Sequence, residues 1–154
     1  MTFYPQYFKV VSGMGKSQYP LGAFDAALRN AGIGDYNLVK VSSVLPANCT
    51  YSDDIPLENG SILYAAYASL ILKATESGVT AVAVAVPSSE TDSGVIFECS
   101  VSDRNCDMEE IVRAMCIEAM DGRCRCVSKI ISSSQKVIGE SEGFISSISA
   151  VVMW

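Results

Sequence analysis

The spacing of apolar residues changes several times along the chain, and each change marks an element. Residues 3 to 12 form a strand-like apolar run. Pro20 then opens a helical pattern with Leu21, Phe24, Leu28 and Ala31 on one side. Proline suits a first helical position because its missing N–H loses no bond there. Gly32 and Gly34 end that helix, Tyr36 to Ser43 reads as a strand, and Pro46 closes it. A polar loop over about 47 to 60 follows. Three β-rich runs come next, at Ile62–Lys73, Val79–Val86 and Gly94–Val101. In the middle run, VTAVAVAV, one face is alanine, which lets another layer approach closely. A second helix is predicted over Met108–Met120, with Met108, Ile111, Val112, Met115 and Ala119 on its apolar stripe. Two last strands fall near Cys124–Ser133 and Phe144–Val152. Strand runs separate the two helices, so the pattern predicts sheets covered by helices in an α+β layered fold, with residues 1–154 as a single domain.

Composition narrows the chemistry. The chain has 154 residues, enough for one compact core, and 49% of them are apolar. Only 18% are charged, so some faces are expected to be buried against other copies in a homo-oligomer. The net charge of −6 argues against nucleic acid and against anionic membrane surfaces, and it is compatible with a cationic substrate. The longest apolar stretch, Ile62 to Leu72, is too short to span a bilayer. There is no histidine, which excludes a Ser-His-Asp triad, a Cys-His pair and any His-ligated metal. The N-terminal MTFYPQYFKVV lacks the apolar run of an export signal, so a cytoplasmic location is expected. The six cysteines then read as free, small, buried thiols, with Cys124 and Cys126 on one face of a strand.

One tempting motif fails. Ser12-Gly13-Met14-Gly15-Lys16-Ser17 resembles a phosphate loop, but Val10 stands where the pattern needs its first glycine. The helix is also delayed to Pro20, so Gly13 and Gly15 read as a turn.

The informative run is Pro20 to Pro46. It contains PLxAFDxALxNAGIG and NLxxxSSxxP, and an apolar-Glu strand, Gly94-Val95-Ile96-Phe97-Glu98, lies farther on. Together these motifs resemble the pyruvoyl-dependent arginine decarboxylases, densely over residues 20 to 46 and collinearly to the C-terminus. The resemblance implies a layered α/β/β/α sandwich and a homotrimer or dimer of trimers with shared active sites. It also implies cleavage between Ser42 and Ser43 into fragments 1–42 and 43–154.

Physically, the Ser43 hydroxyl can attack the Ser42 carbonyl and turn the amide into an ester. The shift needs backbone strain and a donor for the oxyanion. β-Elimination, hydration and loss of ammonia then leave a covalent pyruvoyl ketone made from Ser43, with no metal and no pyridoxal phosphate implied. That ketone forms an imine with a substrate α-amine and takes up the electron pair left as carbon dioxide departs. The implied substrate is arginine and the product agmatine, which suits polyamine synthesis or acid resistance. A histidine decarboxylase and an unprocessed structural homologue are the alternative readings.

The resemblance gives further residues roles. Asn37 would assist processing, although six residues of straight strand span ~20 Å, so the chain must bend or Asn37 must act on a neighbouring subunit. Otherwise Asn37 caps a turn. Glu98 would be the general acid, or else an exposed edge-strand residue. Asp25 would grip a guanidinium, or else face solvent on its helix. Gly34, Tyr36 and Ser42 would line the substrate site. Asp53 and Asp54 would stand near the pocket mouth, drawing a cation or solvating a loop.

Overall fold

The computed structural model describes residues 3–73, 75–102, 106–139 and 142–154. In chain order the elements are β1 (Tyr7–Ser17), α1 (Pro20–Asn30), β2 (Asn37–Lys40), β3 (Val44–Leu45), β4 (Thr50–Tyr51), β5 (Ile62–Lys73), β6 (Ser77–Pro87), β7 (Gly94–Ser102), α2 (Met108–Asp121), β8 (Val127–Ile138) and β9 (Phe144–Met153). They form a five-stranded sheet, ordered β2-β5-β9-β1-β4, and a four-stranded sheet, ordered β3-β7-β6-β8.

Three apolar layers hold an α/β/β/α stack together. Ala27, Ile33, Leu63, Ala65, Ile148 and Val152 fill the layer between α1 and the five-stranded sheet. Phe8, Ala66, Val82, Val84, Ile96 and Val151 fill the space between the sheets. Ala81, Ala83, Ala85, Val95, Val112 and Met120 pack α2 onto the other sheet. The alternation in β6 therefore works as the sequence suggested: valines face the partner sheet and alanines admit α2. The inter-sheet layer is not wholly apolar. Ser12 donates to Ser133 at 2.7 Å and lies 2.9 Å from the Ser149 hydroxyl, which is 3.0 Å from that of Thr80. These hydroxyls satisfy one another, so burying them costs little.

Several expectations need correction. Gly13 and Gly15 are not a turn but part of β1, which runs on to Ser17. A Cβ at Gly13 would lie 2.5 Å from the Ala27 carbonyl oxygen, and one at Gly15 would collide with Ala26 and the Ala27 nitrogen. The two glycines let α1 lie directly on the strand. On α1 the buried residues are Ala23 and Ala27, while Leu21 is 77% exposed. A helix seated this close buries its small face. On α2 the stripe is Met108, Val112, Cys116 and Met120, with Ile111 and Met115 exposed. Its spacing of four replaces the mixed stripe expected. Cys124 and Cys126 lie outside β8 and are exposed, whereas Cys49 and Cys116 are buried. Cys124 has a positive φ of 53°, which breaks the strand there. The expected strand over Tyr36–Ser43 is realised only as Asn37–Lys40; it ends before the serine pair, and a separate strand begins at Val44.

Gly13→Ala should lose about 1–3 kcal/mol of stability, the usual range for overpacking. Gly122→Ala, where the nearest atom lies 3.4 Å from the added carbon, should change little. Urea denaturation of both variants checks this.

Candidate active site

The chain changes sheets between Lys40 and Val44. The Val41 N–H still donates to Ala65 of β5, at 3.0 Å, and closes the ladder of the five-stranded sheet. Two residues later the Ser43 carbonyl accepts from Ile96 N–H of β7, at 2.8 Å, in the other sheet. Packed sheets stand ~10 Å apart, so the Ser42–Ser43 peptide lies in the stretch that bridges them. Ser42 is exposed and Ser43 half-buried at a bend. Leu45 anchors the far side of the crossing in the inter-sheet core, and Val41 packs against the same core.

Glu98 comes to this place through β7. β3 pairs with β7 antiparallel, Val44 with Val95 and Leu45 with Gly94. The Ser43 carbonyl that accepts from Ile96 N–H thus sits two residues along β7 from Glu98. Glu98 shares the inter-sheet side of the pleat with Ile96. The short β3 leaves this part of β7 as a sheet edge. Glu98 is half-buried, and its Oε2 is buried without a hydrogen-bond partner. Burial raises its pKa above the ordinary 4.5, opposed by the positive charge of Lys40 and by its own backbone N–H. Cys99, next along β7, takes the opposite side and packs toward α2.

The structure does not bring the remaining sequence-predicted residues together with Ser43 in one chain. Asn37 starts β2, and its Nδ2 donates to the Gly60 carbonyl at 2.7 Å, which pins the turn before β5. Asp25 lies on α1, outside the five-stranded sheet, and pairs with Arg29 at 2.9 Å, both largely exposed. Gly34 sits so close to Arg29 that a Cβ would lie 2.5 Å from its Cγ. The Tyr36 hydroxyl donates toward the Ile55 and Leu57 carbonyls, at 3.4 Å each, and its N–H donates to Ile33. Asp53 and Asp54 follow β4, which forms the opposite edge of the five-stranded sheet from β2. There Asp53 accepts from the Tyr51 hydroxyl at 3.0 Å. Within one chain these acids are therefore not at the mouth of the Ser43 site. Sequence reasoning passed over Lys40, which lies inside the NLxxxSSxxP run, because the motif fixes no residue type there.

Around the crossing, Val39, Val44 and Ile62 are exposed at 42%, 48% and 53%. An apolar rim on two sheet edges suits a contact with another copy. Among the described residues, no helix is long and apolar enough to cross a membrane.

The Glu98 environment carries a measurable sign. A carboxyl whose folded pKa lies above 4.5 contributes stability below that value and loses it as the pH rises through the raised one. Glu98→Gln should therefore melt increasingly above the native protein as the pH is raised from 4.5. Parallel melting curves across that pH series would contradict a buried carboxyl.

Proteins of one family resemble this chain along most of its length. The family model "Pyruvoyl-dependent arginine decarboxylase" matches residues 7–154. The pyruvoyl-dependent arginine decarboxylase of Methanopyrus kandleri is 33% identical, over 97% of this chain and 97% of its own. That of Methanococcus vannielii is 31% identical, over 97% of this chain and 91% of its own. Methanothermobacter thermautotrophicus has a relative of the same name that is 40% identical over 62% of each chain. With the family model matched over residues 7–154 and relatives aligned nearly end to end, the chain belongs to the pyruvoyl-dependent arginine decarboxylase family.

Proposed function

We propose that this chain cuts itself between Ser42 and Ser43 and uses the resulting ketone to decarboxylate L-arginine to agmatine and carbon dioxide. The observation that carries the reading is the position of the serine pair in the bridge between sheets. A backbone hydrogen bond holds each side of that bridge, from Val41 to Ala65 and from Ile96 to Ser43. A bond held at both ends is well placed to store the strain that an amide-to-ester shift requires.

In that shift the Ser43 Oγ–C bond forms as the Ser42–Ser43 C–N bond breaks, and the proton passes to the new amine. Elimination then leaves a carboxylate on Ser42 and a dehydroalanine at 43. One water enters and one ammonia leaves to give the ketone. The residues present fit such a group: the Ile96 N–H fixes the Ser43 carbonyl, and the Glu98 carboxyl, two residues along the same strand, has an unpartnered, buried oxygen. The pyruvoyl group supplies an electron sink once it is joined to the substrate amine. Glu98 holds a proton on its carboxyl, favoured by burial, and delivers it to the former α-carbon. Asp25 would serve the guanidinium, and Asn37 the reactive bond, from a neighbouring copy. Neither reaches Ser43 within its own chain, and the apolar rim of Val39, Val44 and Ile62 suits such a contact. A trimer or dimer of trimers follows, with Gly34, Tyr36 and Ser42 lining the site. The reaction needs no metal and no pyridoxal phosphate.

Denaturing mass spectrometry should find two fragments, 1–42 and a ketone-ended 43–154, and Ser43→Ala should remain one inactive chain. An intact native chain after long incubation would support a structural role instead. Carbon dioxide release should be faster from arginine than from histidine, and the reverse order would reassign the substrate. Glu98→Gln should still be cut, with kcat lower by about 10²–10⁴, the usual contribution of a positioned acid.

A further inference from the structure

We propose that Cys124 and Cys126 form a thiol–disulfide site, closed by exchange with a low-molecular-weight disulfide, and that Arg125 between them carries the change into the β6–β7 loop. Such a site is independent of the decarboxylation chemistry.

The chain leaves α2 through a turn in which the Cys124 N–H donates to the Asp121 carbonyl at 2.9 Å and the Arg125 N–H to that of Met120 at 3.0 Å. Cys124 has its φ of 53° there, a conformation for which helix endings favour glycine. Cys124 and Cys126 are exposed, whereas Arg125 between them is half-buried. The two thiols therefore share the outer side and Arg125 turns inward. Two residues of chain span at most ~7 Å. A disulfide accepts Cα atoms about 4.4–6.8 Å apart, so connectivity alone keeps this pair close to bonding range. The other four cysteines differ. Cys49 and Cys116 are buried, and Cys99 and Cys106 are partly buried in the α2 layer.

The step is two successive exchanges. One cysteine sulfur attacks the small disulfide and displaces its first thiol. The second cysteine then attacks the sulfur now bonded to the protein and displaces the other. Two cysteine thiols are oxidised, one external disulfide is reduced to two thiols, and the two protons lost by the cysteines end on those thiols. An exposed disulfide in so small a ring is readily reduced again, so the pair rests as a dithiol wherever thiols are abundant.

The same three residues hold both ends of the loop between β6 and β7. The Cys126 carbonyl accepts from the Ser88 N–H at 2.8 Å. Arg125 donates through Nη1 to the Ser93 carbonyl at 3.0 Å and to its hydroxyl at 2.8 Å, with Nε 3.9 Å from the Asp92 carboxylate. Gly94 follows, pressed against the Ala85 carbonyl and paired with Leu45 of β3. Two residues on, the Ile96 N–H holds the Ser43 carbonyl. Closing the disulfide draws the two cysteine Cβ atoms to about 3.5–4.5 Å and reorients the Arg125 peptides. The grip of Arg125 on Ser93 then changes, and with it the entry of the chain into β7.

The test treats reduced, full-length protein with oxidised glutathione, caps the remaining thiols with N-ethylmaleimide and digests with trypsin. Trypsin cuts after Arg123, Arg125 and Lys129. The expected product is peptide 124–125 joined to peptide 126–129, or the unsplit peptide 124–129 lighter by two hydrogens. Cys126→Ser should instead retain one glutathione on Cys124. Capped or separately glutathionylated Cys124 and Cys126 in the native chain, or a bond from either to another cysteine or a second chain, overturns the site. Hydrogen exchange then reads the coupling. The Ile96 amide should exchange several-fold faster in the oxidised protein than in the reduced one, and Cys124→Ser given the same treatment should show no change. Arg125→Ala should exchange faster already when reduced. Ile96 protection that ignores the disulfide overturns the coupling through Arg125.

Discussion

Two backbone hydrogen bonds to different sheets, only two residues apart, constrain the centre of this molecule. Val41 closes the ladder of one sheet and Ser43 joins the ladder of the other. A strand normally continues in its sheet until turn residues release it. Here the release occurs with no glycine or proline between the two bonds, and Leu45 buried beyond them prevents the chain from relaxing outward. The geometry that lets two sheets share one strand-like segment also leaves the Val41–Ser42 and Ser42–Ser43 peptides out of either ladder. Beyond the crossing, β3 pairs with β7, the strand that carries Glu98. The crossing and the β3–β7 pairing thus come from one topological choice.

The layers on either side serve that choice by being thin and rigid. Gly13 and Gly15 let α1 sit on β1, and the alanines of β6 do the same for α2. β9 is buried along almost its whole length because helix and sheet cover both of its faces. Two of its serines form internal hydrogen bonds rather than facing water: Ser146 donates to the Leu70 carbonyl, and Ser149 belongs to the hydroxyl chain between sheets, whereas the Ser147 hydroxyl is buried without a partner. A frame with so little slack holds both ends of the crossing segment in place.

Most of the fold was legible in the sequence because long runs buried on one or both faces advertise themselves. Ile62–Lys73 was placed to the residue, and α1 began at Pro20 as its proline required. What was misread shares one cause: small residues were judged by local preference rather than by what would press on them. Gly13 and Gly15, two apart, point to one face of a strand, which a turn would not need. Leu21 looked like core, yet Ala23 and Ala27 are the buried residues. The site was legible only through the motif. The crossing joins the strand that carries Glu98 through a two-residue strand too short to leave a periodic signal. Asn37 and Asp25 carry bonds within their own chain, to Gly60 and to Arg29, which sequence spacing could not foretell.

The placement of β1 has a last consequence. It lies inside the five-stranded sheet, between β9 and β4, while β2 is hydrogen-bonded along β5. A cut at the crossing would therefore leave the first 42 residues woven into a sheet whose other strands belong to a separate polypeptide. Such a protein folds as one molecule and thereafter exists as two. Once fully unfolded, it could recover only by a concentration-dependent encounter of its pieces. Its native state would then endure through slow unfolding rather than through ready reversibility.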